Sequence, residues 1–246
     1  MPSKRPLAST KNKRVTSLLK RLRSLADPEA VSGMARYGIV SNVVLGISVA
    51  DLRPLAKEIG KDHWLAQLLW KTGILEARFL ALFIDEPEQV TEAQLERWVM
   101  SFDNWAICDG CCLHLFDRTR FAWKKAAEWS HRKEEFVRRA GFALMAVLAV
   151  HDKYADDSKF TNLLPLIQNA STDERNSVKK GVNWALRQIG KRNSTLHKYA
   201  VKTAREIRTI NSSSARWIAS DALRELTSRA VQHRLRKKTL SRASLR

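Results

Sequence analysis

Trp105 and Asp109 stand four residues apart in the stretch 101–117, SFDNWAICDGCCLHLFD. On a helix that spacing puts both side chains on one face, one turn apart. The carboxylate carries a full negative charge, and the indole offers its electron-rich face. Together they can stabilise a developing cation from two directions. The plain alternative is an amphipathic helix that buries its Trp and solvates an Asp one turn later. Three more residues have types suited to chemistry: Arg138 and Arg139 open an apolar helical run, and Trp184 sits inside a basic stretch.

Other reaction types find little footing. The sequence has no Walker loop, no Rossmann glycine pattern and no HExxH. Cys108, Cys111, Cys112 and His114 invite a zinc reading, but CxxCC on one helix lacks a second ligand pair at a workable distance. Buried, inert thiols are the expectation there, with no metal site. The six histidines are scattered, and none stands with a Ser or Cys nucleophile in a recognisable context.

The elements that position these residues are read from the whole chain. It has 246 residues, 44% of them hydrophobic, enough for a sizeable core. No apolar run reaches the roughly 18–20 residues needed to span a bilayer, and the basic start lacks the pattern of a secretory signal. Three clustered cysteines make a poor disulfide framework. The expectation is an intracellular protein of the cytoplasm or nucleoid, or of the nucleus in a eukaryote.

The net charge is +19, which points to a polyanionic partner, nucleic acid before acidic membrane. Residues 1–23 hold eight Lys or Arg and no acid, and residues 229–246 hold seven and no acid. From 175 to 208 ten basic residues face the single Glu206. In that stretch Lys179, Lys180, Arg187, Lys191 and Arg192 are candidate phosphate contacts.

Every strong periodic signal is helical, as in Leu18-Leu19-Leu22 and Leu75-Phe79-Leu80-Leu82-Phe83. The β-branched stretch 39–49 reads as an irregular segment between helices. Asp27-Pro28, Arg53-Pro54 and Glu86-Pro87 read as helix starts or breaks, and Pro165 as a kink or split. Gly60, Gly73 and Gly190 read as helix ends. The runs beginning at Glu76, Val137 and Val178 resemble one another, each with basic or small residues first and an apolar run after. The expectation is an all-α chain: an α-solenoid of degenerate helical pairs with a curved, basic concave groove. Residues 1–13 read as a disordered basic arm, 14–228 as the repeat domain and 229–246 as a basic tail. No long apolar stripe is left for a partner, so a monomer is expected.

The motifs NWAICD (104–109), FVRRAGFALM (136–145) and KKGVNWALRQIGKRN (179–193) resemble the HEAT-like-repeat class of DNA alkylation repair glycosylases, the AlkD class. The stretches 34–53 and 68–84 also fit the opening of that family, and the likeness covers roughly residues 15–210. By resemblance, Trp105, Asp109 and Trp184 are the catalytic residues. Arg139, or Arg138 in the other register, holds a phosphate, and Tyr37 approaches the DNA backbone. Trp184 as a core residue and Arg139 paired with Asp103 or Glu135 are the alternatives. The stretch between Arg139 and Trp184 and the basic ends are longer than the family pattern, which bears on substrate range.

The resemblance implies a monofunctional glycosylase acting on duplex DNA. Purines alkylated at N3 of adenine or N7 of guanine are cationic and already leave well, so the enzyme need not protonate them. It has to stabilise an oxocarbenium-like sugar and position water, without flipping the base and without metal or cofactor. A non-catalytic binder of duplex or branched DNA on the same scaffold is the competing expectation.

Overall fold

Apolar residues recurring three and four apart close the chain into helices from end to end. The computed structural model describes residues 5–243, with side chains from 13 to 237. Two compact units follow one another, Met1–Thr119 and Arg120–Arg246. The first holds α1 (Arg5–Ser24), α2 (Pro28–Arg36), α3 (Val49–Ile59), α4 (His63–Lys71), α5 (Leu75–Ile84), α6 (Glu92–Val99) and α7 (Trp105–His114). The second holds α8 (Ala122–Ser130), α9 (Glu135–His151), α10 (Asp157–Thr161), α11 (Leu164–Asn169) and α12 (Asn176–Gly190). It continues with α13 (Ser194–Arg208), α14 (Ser213–Leu226) and α15 (Arg229–Ala243). Among the described residues extended pairing is limited to an isolated parallel bridge between Val43 and Ile74. No helix among them is long and apolar enough to cross a membrane.

The helix starts follow capping chemistry. Asp27, Asp62, Thr91, Asn104, Asn193 and Ser212 each accept a backbone N–H in the first turn of the helix they precede. Pro28 opens α2, where its missing N–H costs nothing. Pro165 falls at the start of α11, and the chain splits between α10 and α11 as its position predicts. Pro54 departs from expectation, because it lies inside α3 and forgoes one helical hydrogen bond there. The segment 39–48 is irregular, as expected.

The ends differ from their sequence reading. Residues 1–4 lie outside the described residues, but from Arg5 onward the expected disordered arm is helical. Pro6 falls in the first turn, where it is tolerated, and no glycine interrupts the run. The basic tail likewise forms α15 up to Ala243, and residues 244–246 lie outside the described residues.

Within each unit the packing repeats. In the first, α4 pairs with α5, and α5 also packs on α3 and α7. In the second, α8 pairs with α9, α13 with α14, and α12 packs on both α9 and α14. The three runs that resemble one another in sequence are thus the layer helices α5, α9 and α12.

Close approach of these layers needs glycine at particular points. A Cβ on Gly141 would lie 2.5 Å from the Ser130 backbone nitrogen, so α9 sits against the backbone of α8. Gly190, expected as a helix end, is buried in the last turn of α12. A Cβ there would meet Leu226 at 2.7 Å and Ala200 at 2.9 Å. Its reason is packing against α13 and α14, not a turn. Gly141→Ala is expected to lower stability by about 1–3 kcal/mol through overpacking. Urea denaturation checks this, and an unchanged midpoint would mean that α8 and α9 can separate at no cost.

Candidate functional site

In the first unit α7 carries the candidate pair. Asn104 caps it, its side-chain oxygen accepting from the Ala106 and Ile107 N–H groups at 3.0 and 3.1 Å. Trp105 is therefore the first helical residue and Asp109 lies one turn on, with Trp105 37% exposed and Asp109 half-buried. A Cβ on Gly110 would come 2.6 Å from the Phe79 ring, so α7 lies close on α5. Below its entry Trp70 and Trp98 stack at 3.9 Å, with Phe102 tilted against Trp70.

The Trp105 ring is held by its N–H, which donates to the Tyr37 carbonyl at 2.9 Å. Tyr37 ends α2, and its side chain is 77% exposed. The segment that follows is fastened at several points. Ser41 donates its hydroxyl to Asp103, and the Asn104 amide donates to Asp103 and to the Val40 carbonyl. Arg78 lies 3.5 Å from Asp103 and stands over the Trp70 ring. At its far end the buried Glu76 carboxylate accepts the Leu45 and Gly46 N–H groups at 2.9 and 2.8 Å.

Sequence reasoning missed Glu76, Arg78, Ser41 and Asp103 as supports of this site. Glu76 left one signal, the lone acid at the head of a helix that is apolar but for Arg78. The others left none, because their partners are far away in sequence.

The three cysteines are free and buried, as expected. Burial pushes the Cys111 and Cys112 thiols far up, with the neighbouring Cys108 adding to it in both. Held protonated, they are neither nucleophiles nor thiolate ligands at neutral pH.

In the second unit α9 and α12 bring Arg138, Arg139 and Trp184 into one packed body. Arg139 is only 6% exposed, and it donates to the Ser177 carbonyl in the first turn of α12 at 2.6 Å. Arg138 reaches Asp173 at 3.0 Å. Asp103, one candidate partner for Arg139, lies against Arg78. Trp184 is half-buried on α12, so it is not the fully enclosed core residue of the alternative reading.

The candidate phosphate contacts divide. Lys180 is exposed, and the Lys179 ammonium sits 5.2 Å over the Trp217 ring. Arg187 and Lys191 both reach Glu225 on α14 at 2.5 Å. Burial pushes the Glu225 carboxyl up, but Lys191 and Arg187 outweigh it and hold it below its ordinary value. Arg192 donates to the Ala149 and Ala155 carbonyls and covers the Phe160 ring at 4.4 Å. These last three cations hold helices together, whatever else they contact.

Asp173 ties the entry of α12 to α9. It accepts a two-pronged contact from Arg175 at 2.9 and 2.6 Å as well as the Arg138 bond. Burial raises its carboxyl, yet Arg175 and Arg138 more than offset that, and it is held below its ordinary value of 3.8. A depressed carboxyl stabilises the fold above its unfolded value and loses that contribution as pH falls through the folded value. Asp173→Asn is therefore expected to be less stable than wild type at neutral pH, with the gap closing below pH 3.8. Thermal melts across that range check this, and a gap independent of pH would remove the carboxylate as its cause.

Comparison with known proteins follows the same lines. The model of the family described as DNA alkylation repair enzyme matches residues 18–226. An uncharacterised protein of Listeria innocua, Lin0241, is 21% identical over 197 residues, covering 76% of this chain and 83% of that one. A solved structure superposes with a TM-score of 0.71 at 20% identity, over 85% of this chain and 94% of that one. It comes from a family related to the HEAT-like repeat DNA glycosylases and described as having affinity for branched DNA structures. The all-helical fold is thus that of the HEAT-like repeat proteins.

Proposed function

Because the chain belongs to the DNA alkylation repair enzyme family, we propose that it is a monofunctional DNA glycosylase for positively charged alkylated purines in duplex DNA. The observation that carries this is the pair on α7: an exposed indole fixed by its N–H to the Tyr37 carbonyl, with Asp109 one turn along. A fixed ring and a carboxylate on one face suit a reaction whose barrier is the positive charge developing on the sugar.

In this reading Asp109 stabilises the oxocarbenium-like sugar and positions the attacking water. Trp105 and Trp184 present their faces to the sugar and backbone. Arg139 on α9, Tyr37, Lys179 and Lys180 meet phosphates. The base leaves as a neutral purine, so no general acid is called for, and the lesion stays stacked. The protein works as a monomer without a cofactor.

The test is release of N3-methyladenine and N7-methylguanine from methylated duplex DNA by the purified protein. Release well above the spontaneous rate is expected, and release at background would overturn the proposal. The second reading is a non-catalytic binder of branched DNA, which the solved neighbour's described affinity favours. It predicts background release together with tighter binding to a four-way junction than to a linear duplex.

A further inference from the structure

The basic tail expected from the sequence is a docked helix, and its position leaves cations facing one way. On α15 Val231 and Leu235 are buried one turn apart, and Gln232 donates to the Leu226 carbonyl at 2.9 Å. The same amide lies 3.1 Å from His197 on α13, so α15 is anchored to α13 and α14. Arg229, Arg236 and Lys237 are left on the opposite, exposed side of α15.

Beside it, α13 is built the same way. Leu196, Ala200, Thr203, Ala204 and Ile207 are buried along one side. Lys198, Lys202 and Arg205 stand on the other side at spacings of four and three, all exposed, Lys202 with 75% of its side chain in solvent. The single acid of α13 is Glu206, 3.9 Å from Lys202, and α15 has none. Like charges spaced three and four apart on a helix repel. A helix that keeps such a row, as α13 does, bears a cost that a polyanion would remove.

We propose that the outward faces of α13 and α15 form a second duplex-DNA-binding surface, which grips phosphates and uses none of the candidate residues on α7, α9 or α12. The Lys198–Lys202–Arg205 row is a rigid rail about 10 Å long, suited to successive phosphates of a regular backbone. A membrane surface fits less well, since Val231 and Leu235, the large apolar residues of α15 whose side chains are described, face inward. Single-stranded nucleic acid would call for a platform of stacking rings, and the α13 face offers Tyr199 alone at its flank. The surface would hold duplex beyond the lesion, or a second arm of a branched substrate.

The test uses the full chain and unmodified duplex DNA of about 30 base pairs, so it does not depend on base release. Binding is measured against salt for wild type, for Lys198→Gln/Lys202→Gln/Arg205→Gln, and for Arg236→Gln/Lys237→Gln. Each lost phosphate contact lowers the salt slope by about one. The expected drop is about two to three for the triple variant and about one to two for the double variant. Affinity of the triple variant near 0.1 M salt should fall about tenfold or more. Because the two variants change different helices, a folding defect in one leaves the other as a test, and melting curves identify it. Wild-type slopes in the well-folded variants would overturn the proposal. So would duplex binding unchanged while binding to phosphatidylserine vesicles is lost, which would assign the face to membranes.

Discussion

Asp109→Asn is expected to slow release of methylated purines by about tenfold or more, which is over 1.4 kcal/mol of barrier. The substitution keeps the shape of the side chain and removes its charge, so the loss reports what the carboxylate does for a cationic transition state. Asp109 lies on the first turns of a helix whose entry is capped by Asn104. Melting curves of the variant show whether the charge also serves the fold. Affinity for unmodified duplex should hold or rise, since an acid facing phosphates opposes binding. Single-turnover release with saturating protein separates the two effects. Release unchanged by the substitution would keep the activity and discard Asp109 as its centre.

Glu76→Ala should cost about 2–5 kcal/mol of stability, the largest structural effect predicted for this protein. The Glu76 side chain is buried and accepts both the Leu45 and Gly46 N–H groups. Alanine would leave the buried Gly46 donor and the half-buried Leu45 donor unsatisfied, at about 1–3 kcal/mol each. The segment cannot easily refold around the gap. Gly46 holds φ +83°, and a Cβ there would lie 2.1 Å from the Asp27 carbonyl. The Leu45 carbonyl is itself taken by the Asp27 N–H at 2.7 Å. Hydrogen exchange at Leu45 and Gly46 gives the direct readout, with faster exchange expected in the variant. The consequence should reach the site, because the same segment presents the Tyr37 carbonyl that holds Trp105. Base release is thus expected to fall along with stability. Native exchange rates at both amides would show that water takes over the role of Glu76.

The sequence-level reading succeeded where the information is local. Helical spacing alone put Trp105 and Asp109 on one face, and Asp27-Pro28 marked the start of α2. It failed where a residue answers to a distant partner. Gly190 does end α12, as glycine commonly ends helices, but what requires glycine there is Leu226 and Ala200 on the next two helices. Pro54 looked like a boundary, and packing of α3 on α5 retains the helix through it.

The charge tells the same story. Composition determined that the chain is a cationic, all-helical protein suited to a polyanion, because charge and periodicity are summed along the chain and need no tertiary contact. Which cations remain available was decided only by folding. Arg187 and Lys191 meet Glu225 from 38 and 34 residues away, while Lys198, Lys202 and Arg205 are left facing solvent. Likewise the ring of Trp105 is fixed by a carbonyl 68 residues earlier, a contact that no spacing rule contains. Period-3.6 patterns reveal which side of a helix is apolar. Only packing reveals what stands opposite each polar group, and that pairing separates a structural cation from one that can hold a phosphate.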